Sequence, residues 1–137
     1  MADMQNKEKE LMKKIFLSLP MSGRSAKEIR AQIEEMMNEF LASNHYARGE
    51  EVLFVDNLGY EPDYRDYCKI EALTYLGGAI DKLAYVDSVY FGKGWTRARG
   101  CIIEWQTCMK YGIPRYIMLR DGSITKMIDP KEEDRDE

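Results

Sequence analysis

Short apolar runs alternate with helix-period stretches along this chain, and that alternation limits the available folds more than any other feature. The runs fall at 14–19 (KIFLSL), 50–57 (EEVLFVDN), 87–92 (DSVYFG) and 114–122 (PRYIMLRDG), each of strand length and bounded by turn residues. After the first run, Ile29, Ile33, Met36, Met37, Phe40 and Leu41 recur at three- and four-residue steps, which predicts an amphipathic helix over about 25–43. Ser25 and Glu28 have capping-box spacing at its start. A second helix is predicted over about 68–84, with Leu73, Leu76, Ile80 and Leu83 on its buried face. A third spans about 96–111 and buries Cys101, Ile102, Trp105, Cys108 and Met109 before Gly112 ends it. The segment SITKMID (123–129) reads as a short edge strand.

A strand–helix alternation of this kind implies a mostly parallel sheet with helices on both faces. The expected class is α/β: a single-domain Rossmann-like (flavodoxin-like) three-layer fold with a sheet of four to five strands. At 137 residues one domain accounts for the chain. The domain is assigned to 14–128, after a flexible or short helical extension at 1–13. The acidic stretch 129–137 has nothing to bury and is expected to be disordered. In such sheets ligands bind at the carboxyl ends of the strands. That rule selects the loops 18–25, 56–67 and 92–100.

Charge and composition remove several function classes. A net charge of −4 and a pI near 5.2 argue against nucleic-acid polymers and membrane surfaces, both of which call for a basic face. No apolar run approaches the roughly 18 residues of a membrane span, and the N-terminus lacks the apolar stretch of a signal peptide. A cytoplasmic location is expected. Cys68, Cys101 and Cys108 have no C-x-x-C spacing, and the only histidine, His45, lies in a polar segment read as an exposed loop. Metal and triad chemistry are therefore set aside, and no cofactor is implied.

Two acids stand out by position. Glu104 falls in the first turns of the third helix, where backbone N–H groups favour a carboxylate and suit it to act as an ionised nucleophile. Asp81 lies in LGGAIDKLA, where Gly77 and Gly78 allow a close approach. Two carboxylates in one pocket can divide the work of acid and nucleophile in glycosyl transfer. On spacing alone, both also fit solvated helix-surface acids. PMSGRS (20–25) offers backbone N–H groups, hydroxyls and Arg24 at a helix start. GKGWTRARG (92–100) offers Gly94, Arg97 and Arg99 for an anion, and Trp95 for stacking on a base. Either loop is equally explained as a tight strand-to-helix turn.

Taken together, IFLSLPMSGR, Asp81 ahead of VDSVYF, and GWTRARGCIIEWQTCMKYGIPRYIML resemble the nucleoside 2-deoxyribosyltransferase superfamily, including its deoxynucleoside 5′-monophosphate N-glycosidase branch. The resemblance runs from about Lys14 to Leu119. It implies that Glu104 is the nucleophile at C1′ of the sugar and that Asp81 orients the substrate or protonates the departing base. Ser22, Gly23 and Arg24 would hold a 5′-phosphate, with the base near Pro20 and Met21. Ser18, Gly94, Trp95 and Arg97 complete the substrate-binding set. The implied partner is a small-molecule nucleoside or nucleotide, in a homodimer or larger homo-oligomer whose subunits complete each other's pockets. Ile15 stands where the family has an active-site tyrosine, and Ala98 where it has a polar residue near sugar or phosphate. Three readings stay open: an N-glycosidase or transferase, a non-catalytic nucleotide-binding module, and an interaction domain whose cleft is vestigial.

Overall fold

In the computed structural model, which describes residues 12–63 and 68–129, the elements follow the predicted alternation. They are β1 (Lys13–Ser18), α1 (Ala26–Leu41), β2 (Val52–Val55), α2 (Glu71–Leu83), β3 (Ser88–Phe91), α3 (Arg99–Tyr111), β4 (Arg115–Met118) and β5 (Ile124–Met127). The strands form one sheet in the order β2-β1-β3-β4-β5, parallel except for the antiparallel edge strand β5. No helix among the described residues is long and apolar enough to cross a membrane.

Each face of the sheet has its own core. Ile15, Leu17 and Leu19 pack with Tyr90 and Tyr116 under α1, against Ile29, Ile33, Met36 and Phe40. Phe16, Val89 and Phe91 point the other way, against Ala79 and Leu83 of α2 and Cys101 and Cys108 of α3. Burial on both faces explains why these strands are nearly continuous apolar runs. Phe40 is fully buried and meets the rings of Phe54, Tyr90 and Tyr116. A side chain so enclosed contributes on the order of 2–3 kcal/mol by burial alone.

Helix ends follow local chemistry. Ser25 Oγ accepts the Glu28 N–H at 3.1 Å, and the Glu28 carboxylate returns to the Ser25 N–H, so the predicted capping box forms. Gly112, at φ +69°, ends α3 in the left-handed region. Other expectations are corrected. Leu73 is 57% exposed and Met109 42%, because α2 and α3 turn Gly78, Ala79, Glu104 and Cys108 inward instead. A single 3₁₀ turn, Trp95–Arg97, precedes α3, so that helix begins at Arg99 rather than Thr96. His45 is half-buried: its ring meets Tyr116 edge-on, and Nε2 lies 2.7 Å from the Ile124 carbonyl. Residues 1–11 and 130–137, on which most of the extension and tail assignments fall, lie outside the described residues.

The connections place the ligand-binding edge. β1 crosses over through α1 to β2 on one side, while β3 crosses through α3 to β4 on the other. Right-handed crossovers in opposite directions put their helices on opposite faces. The crevice between β1 and β3 at their carboxyl ends is the topological switch point, where such sheets bind ligands. Ser18 pairs there with Phe91, and the Gly92 N–H donates to the Ser18 carbonyl at 2.7 Å.

Candidate functional site

Glu104 sits at this switch point. It shares the inward stripe of α3 with Cys101 and Cys108, at helical steps of three and four, and only 6% of it is exposed. Ser18, the last residue of β1, donates its hydroxyl to Glu104 Oε1 at 2.7 Å. Both residues are buried, and 86 positions separate them in sequence. Ile15 faces the α1 core, so no side chain there could reach Glu104; Ser18 is the β1 residue that does.

Burial controls this carboxylate. Removal from water pushes its pKa up to about 7, against a smaller downward pull from the Ser18 hydroxyl. The sequence reading expected the helix terminus to favour the charged form. Because α3 begins at Arg99, Glu104 is beyond the first turn, where the terminal field has faded. Burial also pushes the thiols of Cys101 and Cys108 up, to about 11 and 12. Neither is an accessible thiolate at neutral pH.

Asp81 is not brought to Glu104. The helix α2 runs from the carboxyl edge of β2 back to the amino edge of β3, and exposed Asp81 falls in its last turn. Glu104 lies in the second turn of a helix that departs from the carboxyl edge. The close approach anticipated at the glycine pair occurs at Gly78, where an added Cβ would stand 2.3 Å from the Tyr60 ring. Gly77 faces open space.

Of the three selected loops, 18–25 and 92–100 meet at the crevice, and no described residue of 56–67 lines the groove there. The Arg24 N–H closes a turn on the Met21 carbonyl at 3.2 Å, with Gly23 at φ +75°. Met21 is half-buried against the α1 core, and Ser22 and Gly23 are exposed. Two donors at the start of α1, Ser25 N and Glu28 N, are already occupied by the capping box. Trp95 stacks on Trp105 at 4.4 Å, whereas Arg97 and Arg99 are exposed. Gly94 has φ +88°, and a Cβ there would stand 3.2 Å from Pro20 Cγ. Gly94→Ala is expected to cost roughly 1–2 kcal/mol through the left-handed backbone alone. Urea denaturation measures it; an unchanged midpoint would mean that this loop is not held in its present turn.

On the α1 side of the same edge lies an open groove of about 1180 Å³. Pro20, Arg24, Gly94 and Trp95 line it, and so do residues the sequence reading missed, among them Gln32, Lys93 and Arg120. Glu28, Glu35 and Glu39, all on α1, contribute its acidic groups; Tyr90 donates its hydroxyl to Glu39 at 3.4 Å. Burial and neighbouring Glu35 raise the Glu39 pKa. Gln32 could have been suspected from sequence, because it sits beside the buried stripe Ile29, Ile33 and Met36. In the selected loop 56–67, Tyr64 and Tyr67 lie outside the described residues. Tyr60 itself packs edge-on to Tyr75, with the Lys82 ammonium 4.6 Å from its ring centre.

Fold and site together define a doubly wound α/β domain with a buried acid at its topological switch point and a charged groove beside it. Comparison with protein-family models, with curated proteins and with solved structures found no match.

Proposed function

We propose that the protein cleaves or transfers the N-glycosidic bond of a nucleoside or its 5′-monophosphate, with Glu104 as the nucleophile. One observation carries this reading: a buried carboxylate, oriented by Ser18, at the ligand-binding edge of the sheet. Leaving an acid in an apolar stripe is costly unless it has work to do. A Glu104 oxygen bonds to C1′ as the C–N bond breaks, and the electron pair departs with the base, which takes up a proton. Water, or a second base, then displaces the carboxylate from C1′ and restores it. The resemblance described above supports the same assignment. Asp81, at the opposite edge, has no part in it.

The second reading, a nucleotide-binding module without turnover, draws on the fact that Glu104 is not among the residues lining the groove. Chromatography of free base separates the two. The protein is incubated with the common 2′-deoxynucleosides and their 5′-monophosphates, with and without an acceptor base. Base release that is lost in Glu104→Gln supports the enzyme. Tight binding without release selects the module.

A further inference from the structure

Arg24 and Lys93 belong to different loops, the first following β1 and the second following β3. Gln32, on α1, joins them. Its Oε1 accepts from Arg24 Nη1 at 2.7 Å, and its Nε2 donates to the Lys93 carbonyl at 3.1 Å. Only one orientation of the amide satisfies both partners, because a carbonyl cannot donate and a guanidinium cannot accept. Gly92 gives the amide its room: a Cβ there would stand 2.9 Å from Gln32 Nε2 and 2.6 Å from Met36 Sδ. Arg24 Nη1 also donates to the Pro20 carbonyl at 2.6 Å. Both hydrogens of Nη1 are thereby engaged inside the protein, which leaves the Nε–Nη2 edge as the fork for a planar, bidentate anion contact.

We propose that Gln32 is a positioning residue for phosphate recognition: it fixes Arg24 and the Lys93 loop as one corner of the groove, with Arg120 on the same lining. This rests on the reading of the crevice as a nucleotide site. An unheld arginine would lose rotamer freedom on binding. The clasp meets that cost before the ligand arrives. Farther along α1, past Gln32, the carboxylates of Glu35 and Glu39 repel an anion from the rest of the groove, while Glu28, at the Arg24 end, is engaged by Ser25 in the capping box.

Isothermal titration of the full chain with the common 2′-deoxynucleoside 5′-monophosphates and the matching nucleosides tests the proposal. The variants are Arg24→Ala, Gln32→Leu and the isosteric Gln32→Glu. Gln32→Leu is expected to lose about tenfold in monophosphate affinity, in line with a hydrogen bond to a charged group, and to leave nucleoside affinity unchanged. Gln32→Glu should lose more, since a carboxylate cannot donate to Lys93 and sets a negative charge beside the phosphate. Equal losses for nucleoside and monophosphate would mark Gln32 as structural only and overturn the proposal. So would full monophosphate affinity in both Gln32 variants while Arg24→Ala loses it. If the unmodified protein does not prefer monophosphates, or Arg24→Ala changes nothing, the nucleotide reading itself falls and takes the proposal with it. Should Gln32→Leu fail to fold, Gln32→Glu decides alone.

Discussion

Glu104→Gln is expected to abolish base release and, at pH 8, to make the protein more stable. Loss of a nucleophile should lower the rate by at least roughly three orders of magnitude. The stability gain follows from the raised pKa. An unfolded glutamate releases its proton near 4.5, whereas the folded protein holds it to about 7. Between those values the folded state binds more protons, so stability falls as pH rises through the window and is highest below it. At ~1.4 kcal/mol per pH unit the interval is worth about 3 kcal/mol. The glutamine side chain keeps an acceptor for Ser18 and has no charge to strand. The variant should therefore match the parent near pH 4.5 and exceed it by about 3 kcal/mol at pH 8. Urea midpoints at both pH values measure this. A constant difference across the range would mean that Glu104 is not the group titrating near 7. The same ionisation sets the rate profile: kcat/KM should rise with pH through about 7, because the nucleophile must be charged. A profile falling through that value would make Glu104 a general acid instead.

Asp129→Ala is expected to cost more stability than Arg115→Met, although Asp129 is the more exposed partner. The Arg115 side chain is 1% exposed and pairs with the Asp129 carboxylate, which is 41% exposed. Its guanidinium lies 4.3 Å from the Trp105 ring centre, and its Nε has no hydrogen-bond partner among the described residues. Removing Asp129 strands a buried cation, a change that costs about 3–5 kcal/mol when both partners are enclosed. The half-open position of Asp129 reduces that to about 2–3 kcal/mol. Arg115→Met removes the buried charge, keeps volume against Trp105, and leaves Asp129 free to face water, for a cost under about 1.5 kcal/mol. Urea unfolding at unchanged m-value ranks the two variants. The reverse ranking would show that Arg115 stabilises through contacts other than this pair.

Much of the fold was legible because it depends on neighbours in sequence. The three-and-four spacing of Ile29, Ile33, Met36 and Phe40 gave α1 its buried face, and Ser25 with Glu28 gave it its start. The helix α2 was read less well: Leu73 is apolar yet exposed, and Gly78 is buried because the Tyr60 ring rests on it, a contact no periodicity contains. Glu104 carried a local signal, a lone carboxylate on the stripe between Cys101 and Cys108. Its environment did not: the burial that raises its pKa comes from packing between distant segments, against the local helix-terminus effect.

By itself the sequence determined the order of strands and helices, the mostly parallel sheet this order requires, and hence the carboxyl edge that carries the loops 18–25, 56–67 and 92–100. Periodicity and turn chemistry act over a few residues, and alternation with short connections requires crossovers between parallel strands; the order β2-β1-β3-β4-β5, which sets β1 beside β3, came from packing. Only the tertiary structure decided which side chains share that edge. Ser18 reaches Glu104 across 86 positions, Gln32 reaches Lys93 across 61, and Asp81 is carried to the far end of its helix. Which strand face a residue points from, and how far along a helix it lies from the sheet edge, are set by register and packing between distant segments.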